Sequence, residues 1–448
     1  MLPGAREWAG ALRQAGVAVS DAPLPSGAVV DLVVAPGVAV VDALAVDAPM
    51  LVLLGRVRPR RLRAAGYTAF ELVSRPGRDG PRLLVPTGDR RVLRHVFARP
   101  GPGPPVWRRA RNVALPLLLP WGVGARPRDV VTLAARAPAP PFLVAAAIEA
   151  GVPAGASWFL LLGEGDEAER AVIGLFPPGG TSPAWVLKFV RVPGDDHSVA
   201  REEHGLALAH AAGPTTASRV PGLVARLHAA GHHATVETAA PGTSLDRRLR
   251  VDGASPATRA LVDAVATWIV AVGRETAQPA PSPASGLPGG ALGGVGVLAH
   301  GDLRAWNVLV ASDEFTVVDW ELARRPGLPL ADLLLFLCDA LALVDGTPDL
   351  PTRVERIVAL LRGDSPHSPW LFAWVRRAVS ELGIPESVVG ELATRMWQQQ
   401  LEAGQAREAR LAVLGATPVP SATIVERAVV ERWSSDPTLG PSWDRWKL

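Results

Sequence analysis

Three polar side chains with complementary chemistry lie in one short stretch of the sequence, between His300 and Glu321. Asp302 stands at a sharp turn after an apolar run, Asn307 follows five residues later, and Asp319 ends a second apolar run. A carboxylate can accept the proton of an incoming hydroxyl, and oxygen atoms of amide and carboxylate groups are the ligands that Mg²⁺ prefers. The pattern therefore predicts phosphoryl transfer, with Asp302 as the catalytic residue and Asn307 and Asp319 as metal ligands.

A β-hairpin is the element that must position these side chains. Two apolar runs, 308–310 and 315–318, are separated by the residues Ala-Ser-Asp-Glu, which are typical of a turn. The hairpin would carry one metal ligand at the end of each strand. Taken alone, His300 is more often a core histidine, and each aspartate is more often a turn residue. The combination in this order and spacing favours a functional site.

A lysine far upstream offers a positive charge for the same chemistry. Lys188 and Lys447 are the two lysines of the sequence, although Arg and Lys together number 46. A lysine inside an apolar strand of such an arginine-rich chain indicates a role that arginine cannot fill. The helical segment 199–212 offers Glu202 and Glu203, either of which could pair with Lys188 and hold it against a phosphate. The periodicity does not choose between them, and Glu203 is narrowly preferred.

Lys188 lies in the last of three strand-like runs, 158–162, 171–176 and 185–192. Glycine and aspartate at the first connection, and proline and glycine at the second, are typical of hairpin turns. These runs predict an antiparallel three-stranded unit. The extended run 235–243, broken by a Pro-Gly pair, could join this β-rich part to a helical one.

The motifs together resemble the aminoglycoside phosphotransferase and choline kinase superfamily, relatives of the protein kinases. The resemblance rests on His300-Gly-Asp-x-x-x-x-Asn307, followed by apolar residues and Asp319-Trp-Glu. It implies an α+β, two-lobed, protein-kinase-like fold. The small antiparallel β lobe would cover residues 150–240, and the larger helical lobe would cover 241–448.

The same resemblance implies further ligand contacts. Lys188 matches the strand lysine that contacts the α- and β-phosphates, and Glu203 matches its helix partner. Glu237, Thr238 and Ala239 match the hinge beside the adenine. The implied cofactors are ATP or GTP and Mg²⁺, and the implied substrate is a small-molecule hydroxyl of a sugar, an amino alcohol or an aminoglycoside.

The segment Pro329 to Leu333 resembles the short helix that follows the metal ligand in this superfamily, where Asp332 would have a structural role. A second hypothesis is a catalytically silent kinase-like scaffold or binding module. It is disfavoured because a scaffold has no need to keep the four residues Asp302, Asn307, Asp319 and Lys188.

The first 140 residues follow a different pattern. Short apolar runs such as 50–54 alternate with helix-compatible segments such as 60–65, which predicts an α/β accessory domain with a partly parallel sheet. The segment 62–67 loosely resembles the second half of a class I methyltransferase fold. A methyltransferase-like remnant and a docking domain are the two interpretations. Dense proline and glycine between 99 and 141 place the domain boundary near residue 140.

Composition limits the class of protein. Hydrophobic residues make up 48 % and charged residues 20 %, which predicts globular structure. A net charge of +3 without a long basic tract gives no reason to expect a nucleic-acid partner. The single cysteine, Cys338, excludes an internal disulfide. We expect a cytoplasmic protein without a membrane partner, because no basic leader and no uninterrupted apolar run of about 18 residues is found. The near balance of charges beyond residue 332 does not favour a polycationic acceptor.

Overall fold

The computed structural model describes residues 32–36, 50–54, 59–64, 66, 68–77, 80–86, 89–97, 130–135, 142–161, 170–190, 197–229, 232–279, 294–346, 349–413 and 424–439. The chain divides into two compact units, residues 1–199 with 223–239, and residues 200–222 with 240–448. The predicted Pro/Gly-rich linker at 100–105 lies outside the described residues.

One ten-stranded sheet forms the centre of the first unit. Its strands are β1 Leu32–Pro36, β2 Met50–Leu54, β3 Thr68–Gly77, β4 Gly80–Pro86, β5 Val130–Ala135, β6 Ser157–Leu161, β7 Arg170–Phe176, β8 Trp185–Val190, β9 Leu223–Ala229 and β10 His232–Thr238. They lie in the order β1-β2-β5-β3-β4-β6-β7-β8-β10-β9. Strands β1 and β2 pair in parallel, and the other neighbours are antiparallel. The partly parallel sheet that the N-terminal pattern predicts is therefore present.

Three helices of the first unit are α1 Pro59–Ala64, α2 Arg90–Phe97 and α3 Phe142–Glu149. Helix α2 begins after Asp89, whose Oδ1 accepts a hydrogen bond from the main-chain N–H of Arg91 at 2.9 Å and so caps the helix. The buried face of α2 packs on alternate residues of β4 and on aromatic residues of β6 and β7. This cluster consists of Leu83, Val85, Val92, Leu93, Phe159 and Phe176.

The sheet joins the N-terminal segment to the strands that carry Lys188. Strand β4 pairs with β6 through Leu84 opposite Leu160, so strands before and after residue 140 share one sheet. The predicted boundary near residue 140 falls inside this unit, and the division into domains stays a prediction. The predicted antiparallel unit is confirmed as β6, β7 and β8, in which Lys188 lies opposite Val172.

Helices predominate in the second unit. The helices are α4 His197–Ala212, which starts in the first unit, α5 Pro214–Ala217, α6 Leu245–Asp252, α7 Pro256–Thr276, α8 Ala331–Leu343, α9 Leu350–Arg362, α10 Ser368–Leu382, α11 Val389–Val413 and α12 Ile424–Ser435. Two small sheets accompany them, with the strand orders β11-β14-β15 and β12-β13-β16. Their strands are β11 Thr243–Ser244, β12 Gln278–Pro279, β13 Val295–Ala299, β14 Val308–Ala311, β15 Glu314–Val317 and β16 Arg324–Gly327.

Helix α8 is the centre of the second unit. Every residue of α8 except Asp332 is buried, as expected of a helix that is apolar on all sides. Helix α7 packs against α8, α10 and β13. By length and composition α7 could cross a membrane, but half of its apolar window is buried within the protein, as in the core helix of a globular domain. The mixed helix-and-sheet character is thus confirmed, and the two-lobed layout stays a prediction.

Candidate active site

The predicted hairpin brings two candidate metal ligands to one end of a small sheet. Strands β14 and β15 pair with Val308 opposite Val317. The pairing continues one step further, because the N–H of Val318 donates to the carbonyl oxygen of Asn307 at 2.9 Å. Asn307 and Asp319 therefore lie at the same, open end of the hairpin.

The side-chain amide of Asn307 is oriented by the main chain of the preceding loop, which runs from His300 to Asn307. Its Nδ2 donates to the main-chain carbonyl oxygen of Asp302 at 2.9 Å, and the residue is 5 % exposed. The amide nitrogen of Asn307 is therefore bonded to the loop. The amide oxygen, Oδ1, accepts no hydrogen bond from the residues that the structure describes. The buried amide thus has an oxygen that is available as a ligand.

Asp319 has a backbone conformation that is rare for a residue with a side chain. Its φ of 71° lies in the left-handed region, which costs on the order of 1–3 kcal/mol outside glycine and is found most often at functional sites. The next residue, Trp320, is buried, and its indole Nε1 donates to the carbonyl oxygen of Val317 at 3.0 Å. Burial of Trp320 fixes the chain after Asp319 and so holds this conformation.

The carboxylate of Asp332 anchors the start of the loop from His300 to Asn307. Its two oxygens accept hydrogen bonds from the main-chain N–H of His300 at 2.6 Å and of Gly301 at 3.0 Å. Gly301 has a φ of 86°, and a Cβ there would lie 2.4 Å from the carbonyl oxygen of Leu322, so only glycine fits. Gln400 of α11 donates to the Gly301 carbonyl oxygen at 2.7 Å. These contacts give Asp332 the structural role that the sequence resemblance implies.

The His300 ring links the loop to the end of the hairpin. Its Nδ1 accepts from the main-chain N–H of Asp302 at 3.3 Å, which leaves Nε2 as the donor to the carbonyl oxygen of Val318 at 3.1 Å. The ring is buried, with its centroid 4.8 Å from that of Trp320. His300 therefore supports the loop through both ring nitrogens, one contacting the main chain of Asp302 and the other that of Val318.

The Asp302 carboxylate has one oxygen fixed and one available. Oδ1 accepts a hydrogen bond from Nε of Arg304 at 2.8 Å, whereas no described residue donates to Oδ2. The side chain is 28 % exposed. Burial raises the pKa of Asp302 above its usual value, and the positive charge of Arg304 opposes that rise. A carboxylate with a raised pKa and one open oxygen is suited to orient a hydroxyl and to take its proton.

Lys188 has a partner that the sequence did not indicate. Its Nζ lies 2.9 Å from Oε2 of Glu237 on the neighbouring strand β10, and the exposed fractions of the two side chains are 12 % and 2 %. The Oγ1 of Thr235 donates to the other Glu237 oxygen at 3.0 Å. The carboxylate of Glu237, which the resemblance assigns to nucleotide binding, thus contacts Lys188 and Thr235 of the same sheet.

The other residues to which the resemblance assigns nucleotide contacts lie on strand β10, just after it, and on helix α4. Thr238 is exposed at the end of β10, and the N–H of Ala239 donates to the carbonyl oxygen of Ala184 at 2.9 Å. Glu203 is partly exposed on α4, whereas Glu202 is 1 % exposed. Burial therefore points to Glu202 as the acid on the inner face of α4. The pairing of either glutamate with Lys188 stays a prediction.

The donor set at the hairpin end fits Mg²⁺. In the described part of the chain, no three His, Cys, Asp or Glu side chains form a group that could hold a metal. The candidate ligands are one carboxylate and one amide oxygen, with no sulfur or imidazole. Mg²⁺ is usually held by one or two protein oxygens together with waters and substrate phosphates, so a small oxygen set is what it requires.

Comparison with known proteins gives matches among solved structures. No protein-family model matches the chain, and no curated protein sequence matches it. Two similar solved structures are both of aminoglycoside phosphotransferase APH(3'')-Id from Streptomyces rimosus. The first covers 55 % of this chain and 91 % of that chain, with 17 % identity and a TM-score of 0.34. The second, in complex with ADP and streptomycin, has the same coverage, 16 % identity and a TM-score of 0.33.

The chain is similar to aminoglycoside phosphotransferases. At such low TM-scores this likeness by itself decides neither the activity nor the substrate.

The structure adds charged residues that the sequence reasoning missed. Arg304 is 6 % exposed, and its Nη2 donates to Oε1 of Glu426 on α12 at 2.6 Å. Arg304 lies two residues after Asp302 in the sequence, so its contact with Asp302 could have been predicted from its position in the motif. Glu426 is separated from Arg304 by 122 residues and carries no local signal.

A second acidic side chain supports the loop from α8. Oδ2 of Asp339 accepts the main-chain N–H of Ala305 at 2.9 Å, and its other oxygen is ion-paired with Arg353 of α9. Asp339 is 1 % exposed. The exposed ring of Trp306 lies against both guanidinium groups, 5.1 Å from Arg304 and 5.4 Å from Arg353. The loop from Asp302 to Asn307 is therefore held by buried charge pairs.

Proposed function

We propose that this chain is a phosphotransferase that uses ATP or GTP with Mg²⁺ to phosphorylate a hydroxyl group of a small molecule. The observation that carries the proposal is the arrangement in the second unit. Asp302 presents an open carboxylate oxygen, and its main-chain carbonyl oxygen orients the Asn307 amide, at the end of the hairpin where Asp319 also lies. Phosphoryl transfer depends mainly on positioning and on neutralising phosphate charge, which these groups provide.

Each residue has one task in the proposed reaction. Oδ2 of Asp302 orients the acceptor hydroxyl and takes its proton as the oxygen attacks the γ-phosphorus. The bond from the γ-phosphorus to the β–γ bridging oxygen breaks in the same step, and the nucleoside diphosphate leaves. Oδ1 of Asn307 and the Asp319 carboxylate would hold Mg²⁺, which would neutralise charge on the phosphates. Lys188 contacts the α- and β-phosphates, and Glu237 keeps its ammonium group in place.

The acceptor belongs to the sugars, amino alcohols or aminoglycosides. One of the similar structures binds streptomycin, an aminoglycoside. Two acidic residues around the loop of this chain, Asp339 and Glu426, are each paired with an arginine, Arg353 and Arg304. These pairs reduce the negative charge that a polycation would need beside Asp302. A sugar or amino alcohol is therefore as well supported as an antibiotic.

The experiment is a phosphate-transfer screen with labelled ATP and labelled GTP against the three acceptor classes, repeated with Asp302→Ala. We expect Asp302→Ala to lower the turnover at least about 10²-fold, because it removes the proton acceptor. Nucleotide binding, followed by thermal shift with Mg²⁺, should remain. Asp313→Ala is the matched control, since Asp313 is exposed in the hairpin turn.

Unchanged turnover in Asp302→Ala would refute the catalytic assignment. Nucleotide binding without transfer to any acceptor would instead favour a kinase-like scaffold.

A further inference from the structure

Arg304 connects the catalytic carboxylate to the helix at the far end of the described chain. Nε of its guanidinium donates to Asp302 at 2.8 Å, and Nη2 donates to Glu426 of α12 at 2.6 Å. The exposed fractions of Arg304 and Glu426 are 6 % and 7 %. The contact with Glu426 is therefore shielded from water, where charge-assisted hydrogen bonds are strongest.

We propose that Glu426 is a positioning residue for phosphoryl transfer, which acts through Arg304 to fix the orientation of the Asp302 carboxylate. The inference rests on the proposed function and adds a helix, α12, that the motif around Asp302 does not include.

The geometry of arginine explains why the second carboxylate matters. A guanidinium is a rigid planar fork, so fixing one nitrogen leaves rotation about that bond, and fixing two nitrogens defines the plane. Asp302 fixes Nε, and Glu426 fixes Nη2. Without Glu426 the Arg304 plane would be free to turn, and Oδ1 of Asp302 would lose its aligned donor. The open oxygen Oδ2 would then no longer have a fixed direction.

The other groups that face Arg304 do not replace Glu426. Trp306 lies against the guanidinium at 5.1 Å and limits its movement on one side only. Asp339 contributes negative charge to the same region, but its oxygens are engaged by Ala305 and Arg353. Glu426 is thus the described carboxylate that accepts a hydrogen bond from the distal nitrogen of Arg304.

A double-mutant cycle tests the inference. The variants are Glu426→Gln, Arg304→Gln and the double variant, with Glu431→Gln as control because Glu431 is exposed on the same helix. We expect Glu426→Gln to lower kcat roughly 10-fold to 100-fold, the range that follows from losing one hydrogen bond between charged groups. KM for the nucleotide should change less than about 2-fold, because the lost contact does not contribute to binding of the nucleotide in its ground state.

The double variant decides whether Glu426 acts through Arg304. If it does, adding Glu426→Gln to Arg304→Gln lowers kcat no further, since the linking group is already absent. Losses that multiply would overturn the inference. If Glu426→Gln instead causes a general packing defect, the number of nucleotides bound per chain will fall in proportion to kcat. That result would also overturn the inference that Glu426 positions Asp302.

A measurement without substrate separates this inference from the proposed function. In the chain with Arg304, Glu426→Gln should lower the midpoint of thermal unfolding by roughly 2–6 °C, and the shift should shrink by more than half in the Arg304→Gln background. An equal shift in both backgrounds contradicts the link. A wild-type chain that transfers no phosphate but shows this coupling refutes the proposed function and the catalytic role of Glu426, while confirming the contact.

Discussion

Replacing Gly205 by alanine should disturb the end of the hairpin that carries Asn307 and Asp319, although residue 205 is not itself a candidate ligand. Gly205 lies on α4, where the helix packs directly against the main chain of Trp320. A Cβ at this position would lie 1.9 Å from the Trp320 carbonyl oxygen and 2.8 Å from its carbonyl carbon. Main-chain atoms cannot rotate away as the end of a side chain can. The helix and the segment after Asp319 must therefore separate.

The expected cost follows from that overlap. Relieving the clash requires a shift of about 1.5 Å to reach ordinary van der Waals distance. Overpacking of this kind typically costs about 1–3 kcal/mol, and alanine recovers about 0.5–1 kcal/mol of helix propensity. These two ranges leave a net cost of about 0–2.5 kcal/mol, so we expect the free energy of unfolding to fall by about 1 kcal/mol. Because Asp319 directly precedes Trp320, we also expect turnover to fall up to about 10²-fold, as for misplacements near 1 Å.

Urea denaturation and steady-state phosphate transfer measure the two effects. The matched control is Gly273→Ala, in helix α7, where the nearest atom to an added Cβ is Cδ2 of Leu382 at 3.1 Å. A leucine methyl group can move, so this control should change the free energy of unfolding by less than about 1 kcal/mol. If Gly205→Ala were as stable and as active as the wild type, the close approach of α4 to Trp320 would be refuted.

Three further perturbations test separate parts of the structure. Asp332→Asn should lower the free energy of unfolding by about 1–3 kcal/mol, because it places an amide donor against main-chain N–H groups; an unchanged urea midpoint would contradict the anchor. Lys188→Met should cost about 3–5 kcal/mol by leaving the Glu237 carboxylate buried without its cation, and it should weaken the thermal shift given by ATP. Burial raises the pKa of the Cys338 thiol from 9.0 to about 12, so a thiol reagent at pH 8 should label Cys338 only in unfolded chains. The pKa of the Cys338 thiol is higher in the folded chain than in the unfolded chain, so the protonated thiol stabilises the folded state. This stabilisation is complete below pH 9 and is lost as the pH rises towards 12. Cys338→Ala should remove this dependence of the free energy of unfolding on pH.

Local patterns in the sequence predicted the parts of the site that are close in the chain. The hairpin of β14 and β15 follows from two apolar runs and a four-residue turn, and its register places Asn307 and Asp319 at one end. The three strands around Lys188 follow from alternating apolar runs and turn residues. Such features depend on interactions between neighbours in sequence, which propensity and periodicity report directly.

Contacts that depend on the register of distant strands could not be predicted in this way. Lys188 meets Glu237 because Thr235 lies opposite Lys188 when β10 pairs with β8. A shift of that pairing by one residue would turn the Glu237 side chain to the other face of the sheet. No pattern within either strand specifies the register. Periodicity likewise could not distinguish Glu202 from Glu203 on α4.

The loop from His300 to Asn307 shows how far a motif can specify a candidate site. His300 to Asn307 supplies the reactive groups, but its main chain includes a glycine with a φ of 86°, and the hairpin it leads into ends at an aspartate with a φ of 71°. Such conformations persist only when surrounding contacts determine them. Asp332 of α8 and Gln400 of α11 hold Gly301, and the buried Trp320 holds the chain after Asp319. Glu426 of α12 holds the side chain of Arg304 in the same loop. The motif therefore determines which chemistry is available, and helices up to 122 residues away determine whether its atoms are held in the geometry that the chemistry needs.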